Sequence, residues 1–109
     1  MPLISKLFRG DPVFEACLVK DAAHIVPGSA GPHVSCIQYA LIVLDRYRPA
    51  KAEIDRAYYG PTTAAGVLAF KRRRRIINAS YQSTADNIVG RMTIAALDAE
   101  MARAEQAGL

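Results

Sequence analysis

The chain has no tryptophan, only two cysteines and two histidines among its 109 residues, and no uninterrupted apolar run near the ~20 residues of a membrane span. Each scarcity excludes something. Two cysteines, Cys17 and Cys36, cannot make a disulfide scaffold; their apolar helical surroundings suit free, buried thiols, with a single bridge between them as the lesser alternative. The order Cys17, His24, His33, Cys36 matches no common zinc spacing, so no metal and no cofactor is expected. No alternating apolar-polar stretch reads as a strand, and no pair of carboxylates frames a glycosidic cleft. Asp55, Asp86 and Glu53 read as loop or cap residues. Catalysis is therefore not expected. The opening "MPLISKLFRGDPVFEACL" lacks the apolar block of a Sec signal, which predicts a product that is cytoplasmic as synthesised. A dedicated export or injection machine would then have to carry it to any envelope target.

The charge is concentrated rather than scarce. Fourteen Lys and Arg face ten Asp and Glu, and five of the basic residues form one run, Lys71, Arg72, Arg73, Arg74 and Arg75. Outside that run the chain is close to neutral. Three readings stand side by side: cations solvating a helix C-terminus, contact with an anionic wall polymer, and, ranked last, contact with nucleic acid. No aromatic residue interrupts the run, as base stacking would require.

Prolines punctuate the chain as helix starts. Asp11-Pro12 opens a helix carrying Phe14, Cys17 and Leu18 on one face. Gly31-Pro32 opens another, with Val34, Ile37, Leu41 and Leu44 at three- and four-residue steps. Gly60-Pro61 opens a third, with Ala64, Val67, Leu68 and Phe70 facing inward. A fourth runs from about Arg91 to Gln106 with Leu97, Met101 and Ala104 on one stripe, and Gly108 is placed to stop it. Between them lie a loop or extended arm (24–31), a connection with a short helix around Ala52–Arg56, and a polar stretch (77–87) ending in Asp86-Asn87. The fold class is all-α.

One phrase is written twice. "YYGPTTAAGVLAF" (58–70) and "IVGRMTIAALDAE" (88–100) each place threonine three residues after glycine and a large apolar residue seven after it. Gly60, Thr63 and Val67 answer to Gly90, Thr93 and Leu97. Glycine lets the chain turn sharply into a helix, and threonine at the third helical position can bond back toward the first-turn N–H groups. Two turn-plus-helix units packed as a pseudo-repeat are expected.

These motifs carry a resemblance. Gly31, Pro32, Val34, Ile37, Gln38 and Leu41, then Tyr59, Gly60, Thr63, Ala64, Val67 and Phe70, then Asp86, Val89, Gly90, Thr93 and Leu97 resemble the three ordered motifs of the peptidoglycan-binding-like domain family, over residues 26 to about 100. The chain departs from the pattern where Arg56 and Ala57 replace a first Asp-Gly pair. It departs again where Asn87 replaces the second glycine, a swap suited to left-handed backbone. The resemblance implies a compact three-helix bundle over 26–109, with residues 1–25 as an N-terminal helical extension whose Phe14 and Leu18 pack on it. It also implies non-catalytic binding of cell-wall peptidoglycan beside the two glycine-threonine turns. Tyr58, Gln82, Asn87 and Arg91 are the candidate ligand residues there, and Tyr39 and Tyr47 are possible anchors for a partner. Gly31, Gln38, Tyr59, Gly60, Thr63, Asp86, Gly90 and Thr93 are read as structural. The alternative is a structural or adaptor component of a contractile injection, phage-tail-like or secretion assembly. An exposed apolar patch on the extension would favour it.

Overall fold

The proline and glycine punctuation translates directly into helix starts. In the computed structural model, which describes residues 3–20, 23–76 and 86–108, α1 spans Pro12–Val19, α2 Pro32–Asp45, α3 Lys51–Arg56, α4 Pro61–Arg74 and α5 Arg91–Gln106. Among the described residues the architecture is all-helical, and the extended pairing is confined to two isolated bridges. None of these helices is long and apolar enough to cross a membrane. Asp11 caps α1 by accepting from the Val13 N–H at 2.9 Å, and Pro12, Pro32 and Pro61 each stand in a helical first turn, where a missing N–H costs nothing.

The core is drawn from every helix except α3. Phe14 and Cys17 of α1, Val34, Ile37 and Leu41 of α2, Val67 and Phe70 of α4, and Ile94, Leu97 and Met101 of α5 are buried together with Tyr59. Helix α5 packs against both α1 and α2, and α2 also packs on α4. Close approach to α4 depends on Gly66: a Cβ there would lie 3.0 Å from Leu41 of α2 and 2.5 Å from the ring of Tyr47, just beyond α2. Tyr47 donates its hydroxyl to the Thr62 carbonyl at 2.6 Å, so it braces α4 from within and is no surface anchor. Tyr39 is exposed.

Residues 3–13 are tied down by carboxylates. Asp98 of α5 accepts from the Ile4 N–H at 2.9 Å and the Ser5 N–H at 2.8 Å, and Glu105 accepts from the next two, Lys6 at 2.8 Å and Leu7 at 3.1 Å. Two acids seven residues apart on α5 thus satisfy four consecutive amides. Glu15 accepts from Leu3 and Gly10 in the same way. Phe8 is fully buried and meets Phe14 edge-on at 4.8 Å. Phe14 and Leu18 pack as expected, Leu18 less deeply.

Candidate functional site

The two repeated turns are built alike. Gly60 and Gly90 are the N-caps of α4 and α5, Thr63 and Thr93 stand at the third helical position of each and are buried, and Val67 and Leu97 anchor the core. The arm binds them both. Ile25 and Val89 exchange backbone hydrogen bonds of 3.0 and 2.9 Å beside the second turn. Farther along, Gly28 donates to the Tyr59 carbonyl at 2.8 Å, Tyr59 donates back to Ser29 at 2.8 Å, and Gly31 donates to Ala57 at 3.0 Å. Between the turns stands Tyr59, fully buried, whose hydroxyl donates to the Asn87 carbonyl. Burial first, and the nearby Asp86 carboxylate second, push the Tyr59 phenol well above its ordinary range, so it serves as a permanent donor.

Thr63 is tied to α2 rather than left to cap the first turn by itself. The Thr63 hydroxyl accepts from Gln38 Nε2 at 3.1 Å, and the same Nε2 reaches the Tyr58 carbonyl at 3.1 Å, stitching the first turn to α2. The first-turn amides of α4 are taken instead by Glu53 of α3, only 8% exposed, which accepts from Thr62 N–H at 2.9 Å and Thr63 N–H at 2.8 Å. Burial works to raise the Glu53 pKa. The backbone and hydroxyl hydrogen bonds of Thr62 and Thr63 overcome it and hold the carboxyl down at about 2. Gly60 is required because Glu53 is there: a Cβ at 60 would lie 2.6 Å from its carboxyl carbon.

Left-handed backbone also falls elsewhere than expected. Asn87 does not adopt it. Ala57 does, at φ 50°, as the C-cap that ends α3. The second turn is held differently: Asp86 accepts from Ile88 N–H at 3.1 Å and from the Lys71 ammonium, which also donates to the Ile88 carbonyl at 2.9 Å.

Lys71 therefore leaves the basic patch. It is 5% exposed and fastens the second turn to α4. Arg74 leaves it too, lying 3.6 Å over the Phe70 ring and bonding to Asp45 of α2 at 2.9 Å and Glu100 of α5 at 2.6 Å. Helical geometry explains both: residues 67, 70, 71 and 74 share one face, and that face is the buried one. Arg72, Arg73 and Arg75 are exposed.

Of the candidate ligand residues, Tyr58 is 41% exposed on the first turn. Asn87 is half-buried and enters the link between turns through its backbone. Arg91, exposed, lines a shallow depression of about 350 Å³ with Leu3, Ile4, Leu18, Val19, Ala95 and Asp98, so it sits with the N-terminal segment. Gln82 lies outside the described residues. Ile4 and Val19 on that depression are 59% and 68% exposed. Cys17 and Cys36 are free thiols; burial, with Asp11 second, raises both, Cys17 to about 11. No group of three or more possible metal-binding side chains occurs among the described residues. Compared with family models, curated proteins and solved structures, the chain matches none, so function has to be argued from these turns and faces.

Proposed function

We propose that this chain is a non-catalytic wall-binding module of the peptidoglycan-binding-like kind, a bundle of α2, α4 and α5 with residues 1–25 as its extension. Its two glycine-threonine turns would present a shared face to peptidoglycan. The observation that carries the reading is the joining of the repeated turns by one arm and one buried tyrosine, Tyr59 to Asn87. Holding two turns in fixed register is what a surface for an extended glycan-peptide ligand requires. Tyr58 supplies an exposed aromatic face on one turn, of the kind that packs on sugar rings.

The test is retention on insoluble peptidoglycan sacculi stripped of phosphate polymers, at low and at high salt. Retention at both, lost in a Tyr58→Ala/Asn87→Ala variant, supports the reading. Retention only at low salt reduces it to charge adhesion, and no retention overturns it.

The depression on the extension favours the second reading, an adaptor in a larger injection or secretion assembly. Ile4 and Val19 expose apolar surface where the N-terminal segment meets α1 and α5, as a protein contact would use. Ile4→Asp/Val19→Asp should then abolish incorporation into that assembly without unfolding the chain.

A further inference from the structure

The tertiary structure gathers a cationic face that the basic run only partly announces. Asp45, bonded to Arg74 at 2.9 Å and 4.0 Å from Arg73, is the last residue of α2, so the chain that leaves α2 begins beside the end of α4. It carries Arg46 and Arg48, both exposed, and runs back along α4, with Tyr47 over Gly66 and the Ala50 N–H on the Thr62 hydroxyl at 2.8 Å. Arg46, Arg72, Arg73 and Arg75 thus stand about the Arg74 network, with Arg48 farther back along α4. Six arginines against Asp45 and Glu100 leave a local excess equal to the +4 of the whole chain.

Elsewhere the carboxylates are spent. Asp11, Glu15, Glu53, Asp98 and Glu105 accept from backbone amides, Asp55 pairs with Lys51, and Asp86 with Lys71. Arg46, Arg48, Arg72 and Arg75 have no ion-pair partner among the described residues. Two of them stand at a cost. Arg46 (φ 53°) and Arg75 (φ 55°) end α2 and α4 in left-handed backbone, where glycine is the unstrained choice. The negative ends of two helices account for a cation apiece, and six are present.

We infer that this arginine face is a second binding surface, separate from the two turns, for a linear polyol-phosphate chain of the kind that accompanies peptidoglycan in cell walls. Guanidinium groups bind phosphate bidentately, and rigid helix ends fix their spacing. Among the described residues, Phe70 is already engaged beneath Arg74, the Tyr47 ring lies farther back over Gly66, and Tyr39 lies about 10 Å back along α2. The described part of the face therefore offers phosphate contacts without base stacking, which favours a baseless polymer over nucleic acid. The choice of a wall polymer rests on the wall-binding reading above; the phosphate chemistry does not.

Purified poly(glycerol phosphate) and single-stranded oligothymidylate of equal phosphate content, both free of peptidoglycan, test this face apart from the turns. Binding of poly(glycerol phosphate) at 50 mM salt should weaken roughly ten-fold or more in Arg72→Gln/Arg73→Gln, with a salt slope reduced by about 0.7 per arginine removed. Arg46→Gly/Arg75→Gly should raise the melting temperature and still weaken binding, which separates function from folding. Tyr58→Ala/Asn87→Ala should bind as the parent does. The proposal is overturned by absent binding, by tighter binding of the oligothymidylate, or by an equal loss in the charge-matched control Lys6→Gln/Arg9→Gln.

Discussion

Glu53→Gln removes one charge from the first turn and changes almost nothing else in shape. The carboxylate now accepts from two amides, Thr62 and Thr63, at 2.9 and 2.8 Å. A glutamine has one oxygen, so one amide must face its NH2 group instead. Hydrogen bonds to a charged group contribute roughly 1.5–3 kcal/mol each, and most of one is lost. The pH argument gives a similar figure. A carboxyl held at about 2 against an ordinary 4.5 corresponds to about 3 kcal/mol of stability above pH 5. Because the folded value is the lower one, that contribution is present above pH 4.5 and fades as pH falls toward 2. The variant should therefore be less stable by about 2–3 kcal/mol at pH 7, and the gap should narrow between pH 4.5 and 2.5. Urea unfolding followed by helical circular dichroism at pH 7, 4 and 3 measures it, with every other carboxylate common to both proteins. A gap below about 0.5 kcal/mol at pH 7, or one that stays constant down to pH 2.5, would refute the reasoning.

Three further outcomes are expected. Ala57→Gly should stabilise the chain by about 0.5–1 kcal/mol in the same unfolding assay, because it relieves left-handed backbone at φ 50°. Within the basic run, Lys71→Met should cost about 1–3 kcal/mol by removing the ammonium that holds Asp86 and the Ile88 carbonyl, whereas exposed Arg72→Gln should change stability by less than about 0.5 kcal/mol. Asp98→Asn should speed amide hydrogen exchange at Ile4 and Ser5 by at least about ten-fold and leave α2 protection unchanged; equal acceleration in both would show that the N-terminal segment is not held by this carboxylate.

Some of the candidate site was legible before any coordinates. The repeated glycine-threonine spacing marked both N-caps and both buried threonines, because a helix that starts sharply and packs closely needs small residues at set positions. Exposure of Tyr58 and burial of Tyr59 and Phe70 agreed with that reading. The capping acid was not legible. Glu53 looks like any polar residue in a connection, and only the folding of α3 against the start of α4 makes it a cap. Asp98 did carry a signal: it follows Leu97 and precedes Met101 on the buried side of α5, where an acid needs partners.

Local rules act within a few residues, so the sequence by itself determined the helices, their starts at Pro12, Pro32 and Pro61, and the inward faces of α2, α4 and α5. Charge does not respect that range. A run of five basic residues is one object in the sequence, but a helix spreads it over several directions, 100° per step. The fold then turned Lys71 and Arg74 inward to acids 15 to 29 positions away. It also brought Arg46, next to Asp45, to the end of α4 that carries Arg73 and Arg75. Only the tertiary structure could decide which cations are struts and which are left to face a partner, because ion pairing depends on distances through space that no local pattern encodes.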